Sequence, residues 1–563
     1  MVRNLAKNTH TTAALDPPEI ASYASTLRQC NRSRNLALGR TIHKKLRELG
    51  LDRVTNLSNL LIQMYGSCHC VAEASRVFAT IKEPNDFSWN VMLTAYARNG
   101  HLAEARRCFD RMPRAWRGVF TFNTLMLAYA RKGDLREARD LFDRMLSRNT
   151  FSWNAMISSY ARGGNPREAL ELWRAMDIDP NSITLASALH ACCELADLDE
   201  GRKIHARIKH SGLESNIILA TALVNLYGRC GRVMDAQEIF HSMADSQDVV
   251  LWTAMQMALA RNGRLIQASA LFDRMPRRDV VSWTNMLVAH ASDGDLGRAA
   301  RIFGAMPERS SVTWTAMITA YAQNGRPRAA IHLFLAMDCE GFPANSVTFV
   351  TIFDACSSVA DIALGRRLHA ELLDLGAGQP PQIDVSLGTA IVNMYGKCGS
   401  LSEARSFFDS MPDRNAWSWN SMLAAYAQRG QTLAALDLFK LLNLHGQDPD
   451  EVSFLALFSA CSHAGLLRDG HCYFVSITHD YGQRLTIDHY VCMIDLLCRA
   501  GRLAHAEELL HAMPFSPSST AWTALLNGCE MHRDVERARG IPGRALGDDH
   551  GPYVLLSNTM LVS

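Results

Sequence analysis

The chain has 563 residues, of which 48% are hydrophobic, so it has ample material for a folded core. Its 58 basic and 56 acidic residues leave a net charge of +2, with a pI near 7.9. Nucleic-acid-binding domains often have a pI above about 9, so any basic surface has to be local. The 15 cysteines are scattered, which predicts buried thiols in a reducing compartment rather than a disulfide framework. The sequence contains no run of about 18 apolar residues, so it predicts no membrane span.

An aromatic residue followed by Asn or Thr returns along the chain at a nearly fixed spacing. The aromatic members are Trp89, Phe122, Trp153, Trp252, Trp283, Trp314, Trp419 and Trp522. Phe122 and Trp153 are 31 residues apart, as are Trp252 and Trp283. Self-similarity at a period of 20–50 residues is typical of a solenoid.

Residues 311–345 illustrate one repeat. The apolar stripe of its first helix consists of Trp314, Met317, Ile318 and Tyr321. Gly325 is expected to end this helix, because Gly adopts the left-handed conformation easily. Pro327 then suits the first turn of a second helix. Each repeat is therefore predicted to be a helical hairpin that buries its apolar faces only by stacking on its neighbours.

Two polar positions recur in the hairpins. One is the Asn or Thr after the aromatic residue. The other closes the repeat and is occupied by Asn85, Asn149, Asn181, Asn216, Asp248, Asp279, Asn345, Asp384, Asn415 and Asp450. Helix capping is one explanation, but the residues just before the aromatic are better placed to cap: Ser88, Thr121, Ser152, Ser282, Thr313 and Ser418. The two positions therefore predict a lined binding surface.

The repeats differ in length. Long units at 20–54, 182–216 and 346–384 are each followed by a unit of 31 or 32 residues, at 55–85, 217–248 and 385–415. Other units start at 86, 119, 150, 249, 280, 311 and 416, and a last pair covers 451–486 and 487–518. The long units contain a Gly-Arg and a His in their second helix, and the units after them contain a Tyr-Gly phrase.

This alternation resembles the plant pentatricopeptide-repeat family, in its PLS subfamily. FLALFSACSHAGLLRDG (454–470) and HYVCMIDLLCRAGRLAHAEELLHAMPF (489–515) resemble the subfamily's last long and short repeats. AWTALLNGCEMH (521–532) and GPYVLLSN (551–558) resemble its two E-type C-terminal motifs. The resemblance implies an all-α fold, a right-handed superhelical solenoid of helix-turn-helix repeats with about thirty short helices and no sheet.

The expected organisation has four parts. An N-terminal extension covers 1–19, about 15 repeats cover 20–518, an E-type motif covers 519–550, and an incomplete second one covers 551–563, with no DYW deaminase domain. The phrase Ile541-Pro542-Gly543 predicts a kinked or short helix in the first E-type motif. The first 15 residues carry Arg3 and Lys7 but no acid, which is compatible with an organelle transit peptide. The expected compartment is the mitochondrion, with the chloroplast as the alternative.

Catalytic and metal-binding patterns are incomplete in this sequence. A zinc deaminase needs His-x-Glu followed by Cys-x-x-Cys, and only the first half occurs, at His369 with Glu371 and at His505 with Glu507. Cys68-His69-Cys70 is rich in ligand types but lies in a turn without a second ligand cluster. We therefore expect no enzyme activity, no metal and no cofactor.

The resemblance further implies that each repeat reads one RNA base with two side chains. Asn59 with Asn85 and Asn123 with Asn149 would read C, or U less well, while Asn90 with Gly118 and Asn154 with Asn181 would read an ill-defined pyrimidine. Thr221 with Asp248 and Thr253 with Asp279 would read G, Asn420 with Asp450 would read U, and A would be read by Thr284 with Ser310, Thr315 with Asn345, and Thr389 with Asn415. An Asp carboxylate only accepts hydrogen bonds, which suits the ring N–H of U or G, whereas an Asn amide also donates.

The long units carry Ala24, Ala186, Val350 and Leu455 at the reading position and should be silent. The expected target, from 5′ to 3′, is N-Y-Y-Y-Y-N-G-G-A-A-N-A-U-N-N, with the edited C four nucleotides 3′ of the base under residues 487–518. Apolar residues two before the aromatic would pack either on a base face or between hairpins. They are Phe87, Phe120, Phe151, Val281, Val312 and Trp417.

Three functions remain open on the sequence. The first is a sequence-specific RNA-binding factor that selects cytidines for C-to-U editing in an organelle, with a DYW-type deaminase or another editing-complex protein as partner. The second is an organelle RNA-binding factor for transcript stability or splicing. The third is a protein-binding scaffold like the tetratricopeptide repeats, but that family has Gly in its first helix where this chain has Leu93, Met126, Ile157, Gln256, Leu287, Ile318, Leu423 or Leu526.

Overall fold

The computed structural model describes residues 17–243, 248–374 and 383–540, apart from the side chains of residues 17–19 and 374. Most of the proposed N-terminal extension, the Ile541-Pro542-Gly543 phrase and the incomplete second E-type motif lie outside these residues. The chain divides into two compact units, Met1–Asn285 and Met286–Ser563.

Unit 1 is built from short α-helices in pairs. In chain order they are α1 (Pro17–Ser33), α2 (Leu36–Glu48), α3 (Thr55–Ser67), α4 (Val71–Thr80), α5 (Asp86–Arg98), α6 (Leu102–Arg111), α7 (Val119–Arg131), α8 (Leu135–Asp143), α9 (Thr150–Arg162), α10 (Pro166–Ala175), α11 (Ser182–Leu195), α12 (Leu198–His210), α13 (Ile217–Arg229), α14 (Val233–Ser242), α15 (Val249–Arg261) and α16 (Leu265–Arg274). Two 3-10 turns, Leu51–Arg53 and Arg114–Trp116, lie between helix pairs.

The unit boundary falls within α17 (Val280–Ser292), and unit 2 continues in the same manner. Its helices are α18 (Leu296–Ala305), α19 (Ser311–Gln323), α20 (Pro327–Cys339), α21 (Ser346–Val359), α22 (Ile362–Asp374), α23 (Val385–Lys397), α24 (Leu401–Ser410), α25 (Ala416–Gln428), α26 (Thr432–Leu444), α27 (Glu451–Ala464), α28 (Leu467–His479), α29 (Ile487–Arg499), α30 (Leu503–Ala512), α31 (Ser519–His532) and α32 (Val535–Gly540).

Within each unit, the first helix of a hairpin packs against its own second helix and against the first helix of the next hairpin. From α3 to α31, every first helix begins at the residue where its repeat begins in the sequence. In the hairpin at 311–345, Trp314, Met317 and Ile318 are buried, and Gly325 is left-handed at φ 70°. The all-helical prediction is confirmed, because the described ranges contain helices and no strand. No helix in them is long and apolar enough to cross a membrane.

The Gly and His residues that distinguish the long units contact the first helix of the unit that follows, which carries the Tyr-Gly phrase. In unit 1 the Nδ1 atom of His205 lies 2.8 Å from the hydroxyl of Tyr227. A Cβ added at Gly201 would lie only 2.3 Å from Leu226, so glycine permits this close approach. The same contacts join His43 to Tyr65 and His369 to Tyr395. The Gly and His of a long unit therefore fix its second helix on the next first helix.

The Tyr-Gly phrase also brings successive first helices close together. A Cβ at Gly228 in α13 would lie 2.4 Å from Cβ and 3.0 Å from Cα of Ala258 in α15. Backbone atoms cannot move aside as the end of a flexible side chain can. By contrast, Gly304 in α18 has open space at the Cβ position.

We expect Gly228→Ala to destabilise the protein by about 1–3 kcal/mol, the usual cost of overpacking a filled site. Gly304→Ala should stabilise it by roughly 0.5–1 kcal/mol, because Ala is the better helix former and meets no neighbour. Thermal unfolding followed by far-UV circular dichroism measures both variants. If both substitutions shifted the midpoint temperature of unfolding in the same direction, the result would contradict the close approach of α13 and α15 at Gly228.

Candidate functional site

The Asn or Thr after the aromatic residue is the fifth residue of each first helix, and its side chain is largely buried. Asn59 is 3% exposed and Asn420 is 6% exposed. The other buried members are Asn123, Asn154, Thr253 and Thr315, whereas Asn90, Thr221, Thr284 and Thr389 are half-buried. These residues are called reader residues below. A buried polar side chain hydrogen-bonds to the few groups around it. The contacts of each reader residue therefore show which of its polar atoms remain available to a ligand.

Three reader residues are hydrogen-bonded to the repeat-end residue predicted to work with them. The Nδ2 atom of Asn154 donates to Oδ1 of Asn181 at 3.0 Å. The Nδ2 atom of Asn420 lies 2.9 Å from both carboxylate oxygens of Asp450. In the third pair, Nδ2 of Asn345 donates to Oγ1 of Thr315 at 3.3 Å. The structure therefore brings together residues that lie 27 to 30 positions apart.

Other predicted pairs lie at the same two positions without a direct bond in the described structure. These are Asn59 with Asn85, Asn123 with Asn149, Thr253 with Asp279, and Thr389 with Asn415. Asn90 faces the repeat end at Gly118, which has no side chain, and its Oδ1 instead accepts from Thr121 at 2.9 Å. The two remaining predicted pairs occupy the same two positions of their repeats. They are Thr221 with Asp248 and Thr284 with Ser310.

The capping assignment made from the sequence is wrong. The repeat-end residue is the N-cap, as at Asn149, whose Oδ1 accepts from the Ser152 N–H at 2.9 Å. Ser152 is the third helical residue and accepts in return from the Asn149 N–H. The same reciprocal capping box occurs at Asn181, Asn345, Asn415 and Asp450. The reason is that the helix begins directly after the repeat end, which places the serine inside the first turn.

Capping uses only part of the repeat-end side chain. At Asp450 the backbone N–H of Ser453 bonds to Oδ1, so Oδ2 can accept from another group. At Asn345 the Oδ1 atom caps the helix and Nδ2 donates to a reader. An Asn repeat end therefore offers a donor and an Asp repeat end offers an acceptor, and neither role conflicts with capping.

The threonine readers behave differently from the asparagines. Thr315 donates its hydroxyl proton to the Ser311 carbonyl at 2.7 Å, one turn earlier in the same helix. Thr221, Thr284 and Thr389 make the same backbone bond. A hydroxyl engaged in this way presents its oxygen lone pairs, so it acts as an acceptor toward a ligand.

Three readers hold a buried polar atom that has no hydrogen-bond partner among the residues the structure describes. These atoms are Oδ1 of Asn59, Oδ1 of Asn123 and Oγ1 of Thr253. Native proteins leave few buried polar atoms unsatisfied, because the lost hydrogen bond costs about 1–3 kcal/mol. Their presence at the reader position is what a site that binds a polar ligand would have.

An exposed row of apolar side chains flanks the readers. Each is the second residue of a first helix, three residues before the fifth position, which holds a reader except after Ile183, Val347 and Val452. In unit 1 the row comprises Phe87, Phe120, Phe151, Ile183, Ile218, Val250 and Val281, and in unit 2 it comprises Val312, Val347, Trp417 and Val452. Their exposure ranges from 48% at Val452 to 74% at Trp417. This exposure leaves their faces free for a ligand and does not match tight packing between hairpins.

The row and the readers line common grooves. In unit 1, a groove of about 480 Å³ is lined by Phe87 and Phe120 with Asn90 between them, and Arg98 lies along it. In unit 2, a groove of about 610 Å³ has Val312 and Val347 around Thr315. Two apolar side chains and one polar group between them form a slot that suits a flat ring with a polar edge.

A basic row was missed in the sequence. The last residue of the first helix is arginine at Arg98, Arg131, Arg162, Arg229 and Arg261 in unit 1. Arg229 pairs with Glu194 at 3.2 Å, whereas the other four make no ion pair with any described residue. A cation at a helix C-terminus complements the helix dipole, and it also suits a phosphate. These arginines recur at the repeat spacing, which is the signal in the sequence. They supply positive charge locally, although the chain as a whole is nearly neutral.

A second missed group holds the repeat-end residues in place. Arg148 precedes Asn149, donates from Nε to the Phe142 carbonyl at 3.1 Å, and lies 4.7 Å from the centre of the Phe142 ring. Arg117, Arg278, Arg309 and Arg414 make the same two contacts or close variants of them. The signal was a Met three residues before the arginine in four of the five cases.

The two His-x-Glu phrases take part in helix packing. His369 contacts the Tyr395 hydroxyl at 2.9 Å, and Glu507 accepts from Arg537 at 2.8 Å. His69, in the turn after α3, contacts Oδ1 of Asn99 at 2.7 Å. Among the described residues, no group of three His, Cys, Asp or Glu side chains could hold a metal ion.

Comparison with known proteins identifies the repeat. The PPR repeat family model matches residues 148–194 and 309–358. The PPR repeat model matches residues 87–115, 120–150, 219–247, 250–280, 281–311, 389–415, 417–446 and 488–516. Together the matches cover more than half of the chain. The chain belongs to the pentatricopeptide-repeat (PPR) family.

The relatives of this PPR chain are plant proteins. A pentatricopeptide repeat-containing protein of Arabidopsis thaliana is 34% identical over 545 residues, which is 95% of this chain and 65% of the relative. A mitochondrial one from the same plant is 28% identical over 95% of the chain and 60% of its own length, and a chloroplastic one is 30% identical over 96% and 51%. The chain thus spans less than two thirds of the length of these relatives.

The fold of this PPR chain matches a solved structure. The crystal structure of the pentatricopeptide repeat protein PPR10 from maize is 18% identical, covers 97% of this chain and 82% of its own, and has a TM-score of 0.52. The homologues and this structural neighbour are PPR repeat proteins.

Proposed function

We propose that this PPR protein binds single-stranded RNA in a sequence-specific manner in an organelle and selects cytidines for C-to-U editing. The observation that carries the RNA part is the groove in which Asn90 lies between the exposed rings of Phe87 and Phe120. Stacking on such rings holds a base, and a polar group between them reads its edge. The arginine row supplies contacts for phosphates.

The finer parts of the proposal rest on the family. The PLS subfamily, the E-type motifs at 519–550 and 551–563, and the editing role come from the resemblance of the C-terminal phrases. Relatives named as mitochondrial or chloroplastic support an organelle, with the mitochondrion favoured. A partner with a DYW-type deaminase domain would supply the chemistry, because His369 and Glu507 are engaged in helix packing.

Phe120→Ala should weaken binding of the expected target RNA by roughly five- to hundredfold, since stacking on an aromatic ring contributes about 1–3 kcal/mol per base. Stability should change by less than about 0.5 kcal/mol, because Phe120 is 62% exposed. Fluorescence anisotropy with a labelled 15-mer of the expected sequence measures the affinity.

Leu146→Ala is the matched control, because Leu146 is also an exposed apolar side chain but lies outside the apolar row. It should leave RNA affinity unchanged. Equal effects of the two variants, or no preference of the wild type for the expected RNA over a scrambled one, would contradict the proposal and favour a protein-binding scaffold.

The editing role is tested in the plant. Organelle RNA from a line without the protein should lose C-to-U conversion at a site whose upstream sequence fits the expected target. Intact editing together with a lost or unspliced transcript would replace the editing role by RNA stability or splicing.

A further inference from the structure

A closed ring of hydrogen bonds surrounds the reader Asn420. Its Nδ2 atom donates to the Asp450 carboxylate at 2.9 Å, and its Oδ1 atom lies 2.6 Å from the hydroxyl of Ser453. The ring closes where the Asp450 backbone N–H points to the same hydroxyl at 3.2 Å. Ser453 is the third residue of α27, in the hairpin that follows the reader.

The chemistry of these groups fixes the orientation of the amide. A carboxylate only accepts, so the Asn420 atom that faces Asp450 has to be Nδ2. Oδ1 then faces Ser453 and requires a donor. Because the Ser453 oxygen accepts from the Asp450 N–H, its one proton has two acceptors within reach, Oδ1 of Asn420 at 2.6 Å and Oδ1 of Asp450 at 3.0 Å. The shorter contact is the one to Asn420. The hydroxyl thus holds the amide so that its second N–H and the remaining lone pairs of Asp450 are left for a ligand.

The same arrangement recurs at two other asparagine readers. Thr121 donates to Oδ1 of Asn90 at 2.9 Å, and Thr184 donates to Oδ1 of Asn154. Ser453 and Thr184 contact both the repeat-end Oδ1 and the reader Oδ1, whereas Ser88 and Ser152 bond only to the repeat-end Oδ1. The readers that precede Ser88 and Ser152 are Asn59 and Asn123, whose Oδ1 atoms have no hydrogen-bond partner among the described residues. The contact is therefore a property of particular repeats rather than of the fold.

We propose that the hydroxyl at the third residue of a first helix is a specificity-determining position for the reader in the preceding repeat, acting by orienting its amide. The positions are Thr121 for Asn90, Thr184 for Asn154 and Ser453 for Asn420. This inference rests on the proposed RNA-binding function and adds a third side chain from a neighbouring hairpin to the two that read each base.

Ser453→Ala is the decisive variant. It removes the donor to Oδ1 while Asn420 and Asp450 remain, so the amide keeps Nδ2 toward Asp450 but loses one of its two anchors and is held less firmly in the orientation that reads the base. We expect the preference for U over C, A and G at the nucleotide read by Asn420 to fall by roughly three- to tenfold, the effect of one hydrogen bond. Preferences at the other nucleotides should stay unchanged. Ser453→Thr should restore the preference, because Thr121 and Thr184 already perform this role.

Ser418→Ala is the matched control. Ser418 makes the same capping box, accepting from the Asn415 N–H at 2.9 Å and donating to the Asn415 carbonyl at 2.8 Å. However, the preceding reader, Thr389, bonds to its own helix at Val385. This variant should lower stability as much as Ser453→Ala does and leave base preference within about twofold of wild type.

The measurement is equilibrium binding of the full chain to four RNAs that differ only at the nucleotide in question. If wild type prefers U and Ser453→Ala keeps that preference, the inference is overturned while the RNA-binding proposal stands. Equal loss of affinity for all four RNAs would also overturn it, because that result indicates a purely structural role. Absence of any preference in the wild type would overturn both.

Discussion

Phe408→Ala should destabilise unit 2 by about 3–5 kcal/mol, the usual cost of truncating a fully buried phenylalanine. Phe408 is fully buried in α24, and its ring meets Trp419 of the next hairpin edge-to-face at 4.9 Å. Arg414 lies 4.9 Å above the same ring. The substitution therefore removes the shared contact of two helices and of the arginine that precedes the repeat-end residue.

Trp417→Ala provides the contrast in the next hairpin. Trp417 is larger than Phe408 but 74% exposed, so its removal should change stability by less than about 0.5 kcal/mol. Chemical denaturation followed by far-UV circular dichroism compares the two variants. A similar loss for both would mean that the apolar row is part of the core, and that its side chains are unavailable for bases.

The fold was predictable because its information is local and repeated. Apolar residues at helical spacing define each helix, and Gly325 marks an end that needs a left-handed residue. A phrase that returns every 31 residues leaves little doubt about where a hairpin begins. The first helices from α3 to α31 accordingly begin at the repeat boundaries read from the sequence.

The capping error arose because spacing alone does not distinguish the two halves of a capping box. Asn149 and Ser152 are both good N-cap residues, and they are three positions apart. Which one lies outside the helix depends on where the first turn starts. In this repeat Arg148 binds the end of the preceding helix just before Asn149, a contact that the spacing of Asn149 and Ser152 does not reveal.

Side-chain contacts between neighbouring hairpins could not be predicted from the sequence, for a different reason. Asn324 caps the end of α19, and its Nδ2 donates to the Ala291 carbonyl of the preceding hairpin at 3.0 Å. Ser453 likewise reaches Asn420 across 33 positions. Neither contact is implied by periodicity, because each depends on how closely successive first helices approach.

The sequence predicts which residue of each first helix is the reader, but it does not predict how that side chain is hydrogen-bonded. Asn90, Asn154 and Asn420 use Oδ1 inside the protein. Four threonine readers instead donate to their own helix, as Thr315 does to Ser311. These are opposite presentations, a donor in one case and an acceptor in the other. A change between the two residue types should therefore change which base is preferred, and Thr253 offers the cleanest test.

Thr253→Asn should switch the preference at one nucleotide from G to U. The Thr253 hydroxyl is buried and has no hydrogen-bond partner in the described part of the chain. Asp279 uses Oδ1 to cap α17 through the Ser282 N–H at 2.8 Å. The introduced amide would find the free carboxylate oxygen of Asp279, as Asn420 finds that of Asp450. By the family pattern this pair reads U, and exchange of one base-edge pair shifts discrimination by about 1–3 kcal/mol, or roughly tenfold to a hundredfold.

The hairpin should tolerate this change, because Asn occupies the same helical position at Asn154 and Asn420. Thr253→Ser is the matched control, since it keeps the hydroxyl and should keep the preference for G. Binding of wild type and both variants to RNAs that differ only at this nucleotide gives the answer. A common preference in all three proteins would show that the residue after the aromatic does not read the base. The exposed apolar row would then have to bind a partner in which base identity plays no part.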